Sequence, residues 1–244
     1  MRRGRGAWTA RWMVWLAGLA TLLAPLVAAA QPSFLPGLDS YARGWTQAGE
    51  QMVEAAAQDP SDTEARLMLG LMRWAGGRFE QAGAVLEELL AQAPAATRPH
   101  LEALLSRLLL ERSLPLEAEQ MARRALSAAP NLALAQLTLG EALLAQGRPR
   151  EAIEALKAAR TASPDLAAAY LREGQAHARL EQWQDARQVL EEGVRVDPWS
   201  AEMHLELGRA YERLDEKAKA SHAYSRAALL DPTLARSVPP SSTP

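Results

Sequence analysis

The sequence contains no cysteine, which excludes a small protein held together by disulfide bonds and an enzyme with a cysteine nucleophile. Valine and isoleucine together number only nine among 244 residues, and aromatic residues make up 5%. Alanine, leucine, glutamate, glutamine and arginine fill the long segments instead. Unbranched side chains of this kind keep their rotamer freedom in a helix. The composition therefore favours an all-α protein.

An excess of positive charge is also missing, because the formal net charge is -2. Non-specific binding to nucleic acid requires such an excess, so nucleic acid is not an expected partner. With 48% hydrophobic and 23% charged residues, the chain has the composition of a folded protein and not of a polar disordered one.

The first thirty residues have the layout of a secretory signal peptide. Four arginines precede an uncharged stretch, residues 12–30, whose centre is strongly apolar. Ala28 and Ala30 supply the small side chains that a signal peptidase accepts, and Pro25 breaks the apolar helix before them. We therefore predict cleavage after Ala30 and a location in a bacterial periplasm. The alternative is an uncleaved inner-membrane anchor, because the uncharged stretch is long enough to span a bilayer.

Prolines recur along the rest of the chain at a regular spacing of thirty-four positions. The single departure is an interval of 36 between Pro94 and Pro130. A glycine column and an alanine column keep the same phase, so the repeat does not depend on one residue type. The three columns are Pro60, Pro94, Pro130, Pro164, Pro198 and Pro232; Gly70, Gly140, Gly174 and Gly208; and Ala82, Ala118, Ala152, Ala186 and Ala220.

In this period and in these columns the sequence resembles the tetratricopeptide repeat (TPR) family. The segments 133–164 and 201–232 match the family pattern closely. The resemblance implies an all-α, right-handed α-solenoid of about five helix-turn-helix repeats. Neighbouring repeats stack because a single helix pair buries too little apolar surface to be stable alone. The expected repeats are residues 63–96, 97–132, 133–166, 167–200 and 201–232.

The repeats explain most of the chain, and three features depart from them. Residues 31–62 are expected to form a linker and a helix, over 39–58, that caps the first repeat. Residues 233–244 are rich in proline and serine and are expected to be a disordered tail. The second repeat has Ser106 in the glycine column and carries two extra residues before its first helix.

In the family, the first helices of successive repeats line a concave groove that binds a protein or peptide. The resemblance predicts a groove that is apolar in its first half and charged in its second, which suits a segment with apolar anchors and an acidic part. Tryptophan and arginine are its strongest candidates, since both are enriched at binding hot spots. The alternatives are that Leu137, Leu171 and Leu205 pack against neighbouring helices and that the arginines are simply solvated. The predicted partner-binding residues are Leu67, Leu71, Trp74, Arg107, Leu110, Glu141, Leu144, Gln175, Arg179, Arg209, Glu212 and Arg213.

Nothing in the sequence points to catalysis, a cofactor or a metal site. The four histidines are scattered, and no phosphate-binding loop or hydrolase motif is present. His204 and His222 supply only two of the three or four ligands that zinc requires. His177 and His204 occupy aromatic columns, where packing in the core explains them.

We therefore expect a non-catalytic scaffold or assembly factor in the bacterial cell envelope that binds a partner segment in its concave groove. The alternative is a structural spacer that is tethered to the membrane by an uncleaved leader or that self-associates. Self-association would use the last helix, whose Leu229 and Leu230 lack a following helix to cover them.

Overall fold

The structure is a computed structural model that describes residues 51, 53–55, 57–59 and 62–237. The predicted signal peptide, most of the predicted capping segment and the end of the predicted tail lie outside the described residues. All regular structure in the described part is helical, as the composition predicts. Within that part, no helix has both the length and the apolarity that crossing a membrane requires.

Ten α-helices and one 3-10 helix follow one another in residues 63–237, and the α-helices form five pairs. Within each pair a short turn joins the two helices. The helices are α1 (Thr63–Ala75), α2 (Phe79–Gln92), α3 (Arg98–Glu111), α4 (Pro115–Ala128), α5 (Ala133–Ala145), α6 (Pro149–Ala162), α7 (Ala167–Arg179), α8 (Trp183–Val196), α9 (Ala201–Arg213) and α10 (Lys217–Leu230), followed by the 3-10 helix Pro232–Ser237.

The described residues fall into two compact units that are divided after Pro94, the first with α1 and α2 and the second with α3 to α10. In the second unit each helix packs against the next one along the chain. The odd-numbered helices of neighbouring pairs also pack directly on one another, whereas the even-numbered helices in the described residues make no comparable contact. The odd-numbered helices are therefore the closely spaced inner wall, and the even-numbered helices are the outer layer.

The glycine column lies where the two helices of a pair cross. A Cβ atom added to Gly174 of α7 would lie 2.5 Å from Cγ of Leu190 on α8, so the observed spacing depends on the missing side chain. The alanine column serves the same close packing and is buried in all five pairs. Its members are Ala82, Ala118, Ala152, Ala186 and Ala220.

The turn inside each pair contains one residue with a left-handed backbone. In two turns this residue is Gly77 or Gly147, with φ of 72° and 74°, a conformation that glycine adopts at little steric cost. In the other three turns it is Ser113, Glu181 or Asp215, with φ of 58° to 59°. These three positions adopt a conformation that costs a residue with a side chain about 1–2 kcal/mol.

Ser106 replaces glycine in the second pair without leaving a polar atom unpaired. Its side chain is fully buried, and its hydroxyl donates a hydrogen bond of 2.8 Å to the carbonyl oxygen of Ala118 on α4. A small residue still occupies the crossing point, and the hydroxyl is satisfied there.

The first residues of the expected tail have regular structure. A disordered tail is expected from residue 233, yet residues 232–237 form a 3-10 helix. Asp231 starts this turn by accepting hydrogen bonds from the backbone N–H and the hydroxyl of Thr233, at 2.9 and 2.7 Å. Leu234 packs against the cluster that contains Leu205 and Tyr224, so the last helix pair is partly covered.

Candidate partner-binding groove

Helices α3, α5 and α7 of the second unit line a groove with a cavity volume of about 270 Å³. Charged and polar side chains surround an apolar part contributed mainly by leucine. All the predicted partner-binding residues on these three helices line this groove. The lining residues are Arg107, Leu110, Glu111, Glu141, Leu144, Ala145, Arg172, Gln175 and Arg179.

The repeat itself brings these side chains together. Arg107, Glu141 and Gln175 are each one full period apart, so they occupy the same position in three successive repeats. Leu110 and Leu144 follow one helical turn later and lie on the same helix faces. A one-dimensional column in the sequence thus becomes a row of neighbouring side chains on the inner wall.

Glu141 lies between two guanidinium groups from the neighbouring repeats. Arg107 donates a hydrogen bond to one of its carboxylate oxygens, and Arg172 Nε donates to the other at 2.8 Å. Arg107 also contacts Glu111, with 3.3 Å between Nη2 and Oε1. The Glu141 side chain is only 9% exposed, so these charge-assisted bonds hold it firmly.

The polar row continues onto α9. Arg172 Nη1 donates to Gln175 Oε1 at 3.1 Å, and Gln175 Nε2 donates to Glu206 Oε1 at 3.2 Å. Arg209 Nη1 also donates to Glu206 Oε1, at 3.0 Å. Hydrogen bonds therefore connect polar side chains along the inner wall from α3 to α9.

Sequence reasoning missed Arg172 and Glu206, although both belong to this row. A signal for them exists: each precedes a predicted groove residue by three positions, and the two are one repeat period apart. Residues three apart are neighbours on a helix surface. Glu111, which also lines the groove, lies one helical turn after Arg107 and follows the same rule.

Arg179, which lines the groove, and the predicted residues Glu212 and Arg213 of α9 make contacts outside the polar row. Arg179 is exposed and donates a hydrogen bond to the carbonyl oxygen of Leu144. The guanidinium of Arg213 stacks on the ring of Trp183, 4.4 Å from its centroid. Glu212 accepts a hydrogen bond of 2.8 Å from the hydroxyl of Tyr224. Burial is the main cause of a pKa for Tyr224 above its usual range, and the hydrogen bond to Glu212 raises it further.

The apolar residues discussed in the sequence analysis are half-buried in the first unit or buried in the second. Leu67, Leu71 and Trp74 are half-buried on α1, in the first compact unit. Leu137, Leu171 and Leu205 are all buried, so packing against neighbouring helices is the correct interpretation of those leucines.

A second cavity, with a volume of about 490 Å³, is lined by the outer helices α6 and α8 and by residues of the inner helix α7. Its lining includes Arg160, Glu173 and His177, of which Glu173 is fully buried. His177 Nε2 lies 3.8 Å from Glu173 Oε1, and its Nδ1 lies 2.8 Å from Gln182 Oε1. The pKa of His177 is raised, mainly by its interaction with the Glu173 carboxylate. Gln182 and Asp185 add to this rise, whereas burial lowers the pKa.

The histidines form no metal centre in the part of the chain that the structure describes, where no group of three or more potential ligands could hold an ion. His204 Nε2 lies 3.1 Å from the carbonyl oxygen of Pro198 and is buried. His222 is exposed on α10.

Profiles of three protein families match parts of this chain. The profile of anaphase-promoting complex, cyclosome, subunit 3 matches residues 116–193. Two tetratricopeptide repeat profiles match residues 171–235 and residues 45–108. No curated protein matches the sequence.

Several solved structures are similar to this chain in fold. MamA from Desulfovibrio magneticus RS-1 is 21% identical, with a TM-score of 0.60 over 71% of this chain and 97% of its own. A thermophilic TPR protein from Thermus thermophilus is 23% identical, with a TM-score of 0.59 over 70% of this chain and 92% of its own. The hetero-tetramer Cut9–Hcn1 of the anaphase-promoting complex is 17% identical, with a TM-score of 0.64 over 79% of this chain and 37% of its own. The matching profiles and the helix pairs together show that the chain belongs to the tetratricopeptide repeat family.

Proposed function

We propose that this protein is a non-catalytic scaffold that binds a segment of a partner protein in the groove of its second unit. TPR proteins are generally protein-interaction scaffolds, and one of the similar structures, Cut9–Hcn1, is a complex between proteins. The function rests on the inner wall formed by α3, α5, α7 and α9, not on a reactive group.

One observation carries the proposal: the polar side chains of an open groove are already held in position. Glu141 is fixed between Arg107 and Arg172, and Gln175 is fixed between Arg172 and Glu206. Side chains that are ordered before binding lose less conformational entropy when a partner arrives. The apolar surface of Leu110 beside this row offers a place for an apolar anchor.

Photo-crosslinking in the native host tests the groove directly. A photoreactive amino acid replaces Gln175 on the inner wall in one variant and the exposed Gln188 of the outer helix α8 in a matched control. We expect the Gln175 variant to form a covalent adduct with a partner protein and the Gln188 variant to form none. Adducts that form at position 188 and not at 175 would contradict binding in the groove.

We further propose that the protein acts in the bacterial cell envelope, in the periplasm. The support is the arginine-rich start, the apolar stretch and the small residues Ala28 and Ala30. Mass spectrometry of the protein purified from its host tests this location, since cleavage after Ala30 leaves Gln31 as the first residue. A chain that retains Met1 and fractionates with membranes favours the inner-membrane anchor instead.

Self-association as a structural spacer is the second candidate, and the exposed apolar residues near the C-terminal end favour it. Trp199 and Leu229 are 70% and 72% exposed, and the guanidinium of Arg226 lies 5.1 Å from the Trp199 ring centroid. Light scattering over a range of protein concentrations tests this candidate. A monomer at every concentration removes it, and a dimer that Trp199→Ser together with Leu229→Ser dissociates supports it.

A further inference from the structure

Building on the proposed function, we propose that the partner segment is acidic and that Arg179 and Arg213 bind its carboxylates. These arginines lie at equivalent positions of successive repeats, near the C-terminal ends of α7 and α9, two helices that pack directly on each other. The repeat therefore presents two guanidinium groups in neighbouring repeats of the inner wall.

The carboxylates of the inner wall have partners within the chain. Four glutamates of this wall line the groove, continue its polar row or were predicted to bind the partner. Each of them already accepts a hydrogen bond or forms an ion pair within the chain. The pairs are Glu111 with Arg107, Glu141 with Arg107 and Arg172, Glu206 with Arg209 and Gln175, and Glu212 with Tyr224. The carboxylates therefore have their own donors and do not depend on a partner.

Arg179 and Arg213 differ from the other arginines of the wall, since neither pairs with a carboxylate among the described residues. Arg179 donates to the backbone carbonyl of Leu144, and Arg213 stacks on Trp183. The other three arginines that line the groove or continue its polar row, Arg107, Arg172 and Arg209, each pair with a glutamate of this wall. A partner that supplies carboxylates at this end of the groove completes the charge pairing.

Each of the two guanidinium groups is held in place but retains free donors. A guanidinium has five N–H donors, of which Arg179 uses one on Leu144. The Arg213 guanidinium lies over the Trp183 ring, and Arg213 as a residue is exposed. The planar edge of an arginine binds a carboxylate through two parallel hydrogen bonds. Both groups can therefore receive a carboxylate with little further ordering.

The rest of the groove fixes the order of residues in the occupant. The apolar surface of Leu110 and Ala145 lies on α3 and α5, whereas Arg179 and Arg213 lie on α7 and α9. Leu144 lines the same groove but is buried, with 5% of its surface exposed. A segment that places an apolar side chain on this surface and carboxylates beyond it matches both ends. The occupant that fits is thus a protein segment with an apolar part followed by an acidic part.

The test uses the full chain and three short fluorescein-labelled peptides, whose binding is measured by fluorescence anisotropy. The peptides share the same two leucines in their first half and carry glutamate, glutamine or lysine throughout the second. We expect the glutamate peptide to bind at least about tenfold more tightly than the glutamine peptide, and the lysine peptide to bind more weakly still. The affinity of the glutamate peptide should also fall as salt is added.

The matched variants remove the same charge from opposite faces of the protein. Arg179→Gln together with Arg213→Gln is expected to weaken binding of the glutamate peptide by at least about tenfold. Arg150→Gln together with Lys157→Gln, on the exposed side of the outer helix α6, should leave binding unchanged. Circular dichroism and thermal unfolding confirm that both double variants are folded.

Three results would overturn the inference: equal affinity for the glutamate and glutamine peptides, undiminished binding by the Arg179→Gln, Arg213→Gln variant, or binding of a labelled oligonucleotide as tight as that of the glutamate peptide. The last result would reveal a general polyanion site. A partner that crosslinks at position 175 while the glutamate peptide fails to bind removes this inference and leaves the proposed function. Absence of any crosslink at position 175 removes both.

Discussion

Arg160 of α6 and Glu173 of α7 form an ion pair between neighbouring repeats, with Arg160 Nε 2.6 Å from Glu173 Oε2. Glu173 is fully buried, and Arg160 also contacts Glu192 at 2.8 Å and lies 4.8 Å from the ring centroid of Tyr170. The other repeats place apolar residues at both positions. These are Leu69, Leu105, Leu139 and Leu207 in place of Glu173, and Leu90, Leu126, Val194 and Ala228 in place of Arg160.

This ion pair predicts strong coupling between the two substitutions. Glu173→Leu alone is expected to lower the free energy of unfolding by about 2 kcal/mol, because Arg160 loses its buried partner. The loss stays below the ~3–5 kcal/mol of a fully buried pair since Arg160 keeps Glu192 and some solvent contact. Glu173→Leu with Arg160→Leu should recover most of the loss, as it places leucine at both positions, like Leu90 with Leu105 and Leu126 with Leu139 in other repeats.

Denaturant unfolding of both single variants, the double variant and the unaltered chain measures this coupling as a double-mutant cycle. A double variant that is less stable than Glu173→Leu alone would show that the ion pair is not what limits stability at this interface.

The pH dependence of stability should reflect His177. Its pKa is raised in the folded chain, chiefly by Glu173, while Arg160 in the same cavity opposes the charge and Asp185 supports it. A raised pKa means that folding favours the protonated imidazole. The stabilisation is fully present below the unfolded value of about 6.5 and is lost as pH rises through the higher folded value.

The expected observation is that His177→Gln costs more free energy of unfolding at about pH 5.5 than at about pH 8. His222→Gln, which replaces an exposed histidine on α10, controls for the loss of a histidine as such. The interpretation fails if the cost of His177→Gln is the same at both pH values or is larger at the higher one. An NMR titration of the His177 ring measures the folded pKa independently.

The sequence predicts the fold well because one repeat unit specifies both the helices and their packing. The regular period and the small residue at Gly174 reflect contacts inside a helix pair, and such contacts recur in every repeat. Glu173 could not be predicted as a buried residue, because its partner Arg160 belongs to the preceding repeat. The spacing of Arg172 from Gln175 signals its place on the inner wall, but its hydrogen bond to Glu141 joins two repeats and could not be read from one repeat alone.

Close packing at the crossing point predicts opposite outcomes for two glycine substitutions. In Gly174→Ala the new Cβ would lie 2.5 Å from Leu190 Cγ, and Leu190 is only 1% exposed, so it has little room to move. We expect a net loss of about 1–2 kcal/mol, since the strain exceeds the gain in helix propensity. In Gly70→Ala the nearest atom, Val85 Cγ1, lies 3.4 Å away, so this control should be neutral or stabilising.

Urea denaturation of the two variants measures the difference. Equal stability of Gly174→Ala and Gly70→Ala would mean that Leu190 moves aside at no cost, and the glycine column would then not be required for helix approach.

The left-handed turn residues predict that one substitution away from the groove stabilises the protein. Glu181 has a φ of 58°, where a side chain costs about 1–2 kcal/mol, whereas Gly147 occupies the equivalent turn at 74°. Glu181→Gly removes this strain but increases the entropy of the unfolded chain by about 0.5–1 kcal/mol, so a net gain of up to about 1 kcal/mol is expected.

The matched control, Gly147→Ala, should lower stability by about 1 kcal/mol or more, because it introduces the same strain where none exists. No atom lies within 4 Å of a Cβ added at Gly147, so a steric clash contributes nothing to that loss. Thermal and chemical denaturation of the two variants, together with the pair combined in one chain, test the explanation. A destabilised Glu181→Gly variant would show that the Glu181 side chain stabilises the turn by more than its backbone strain costs.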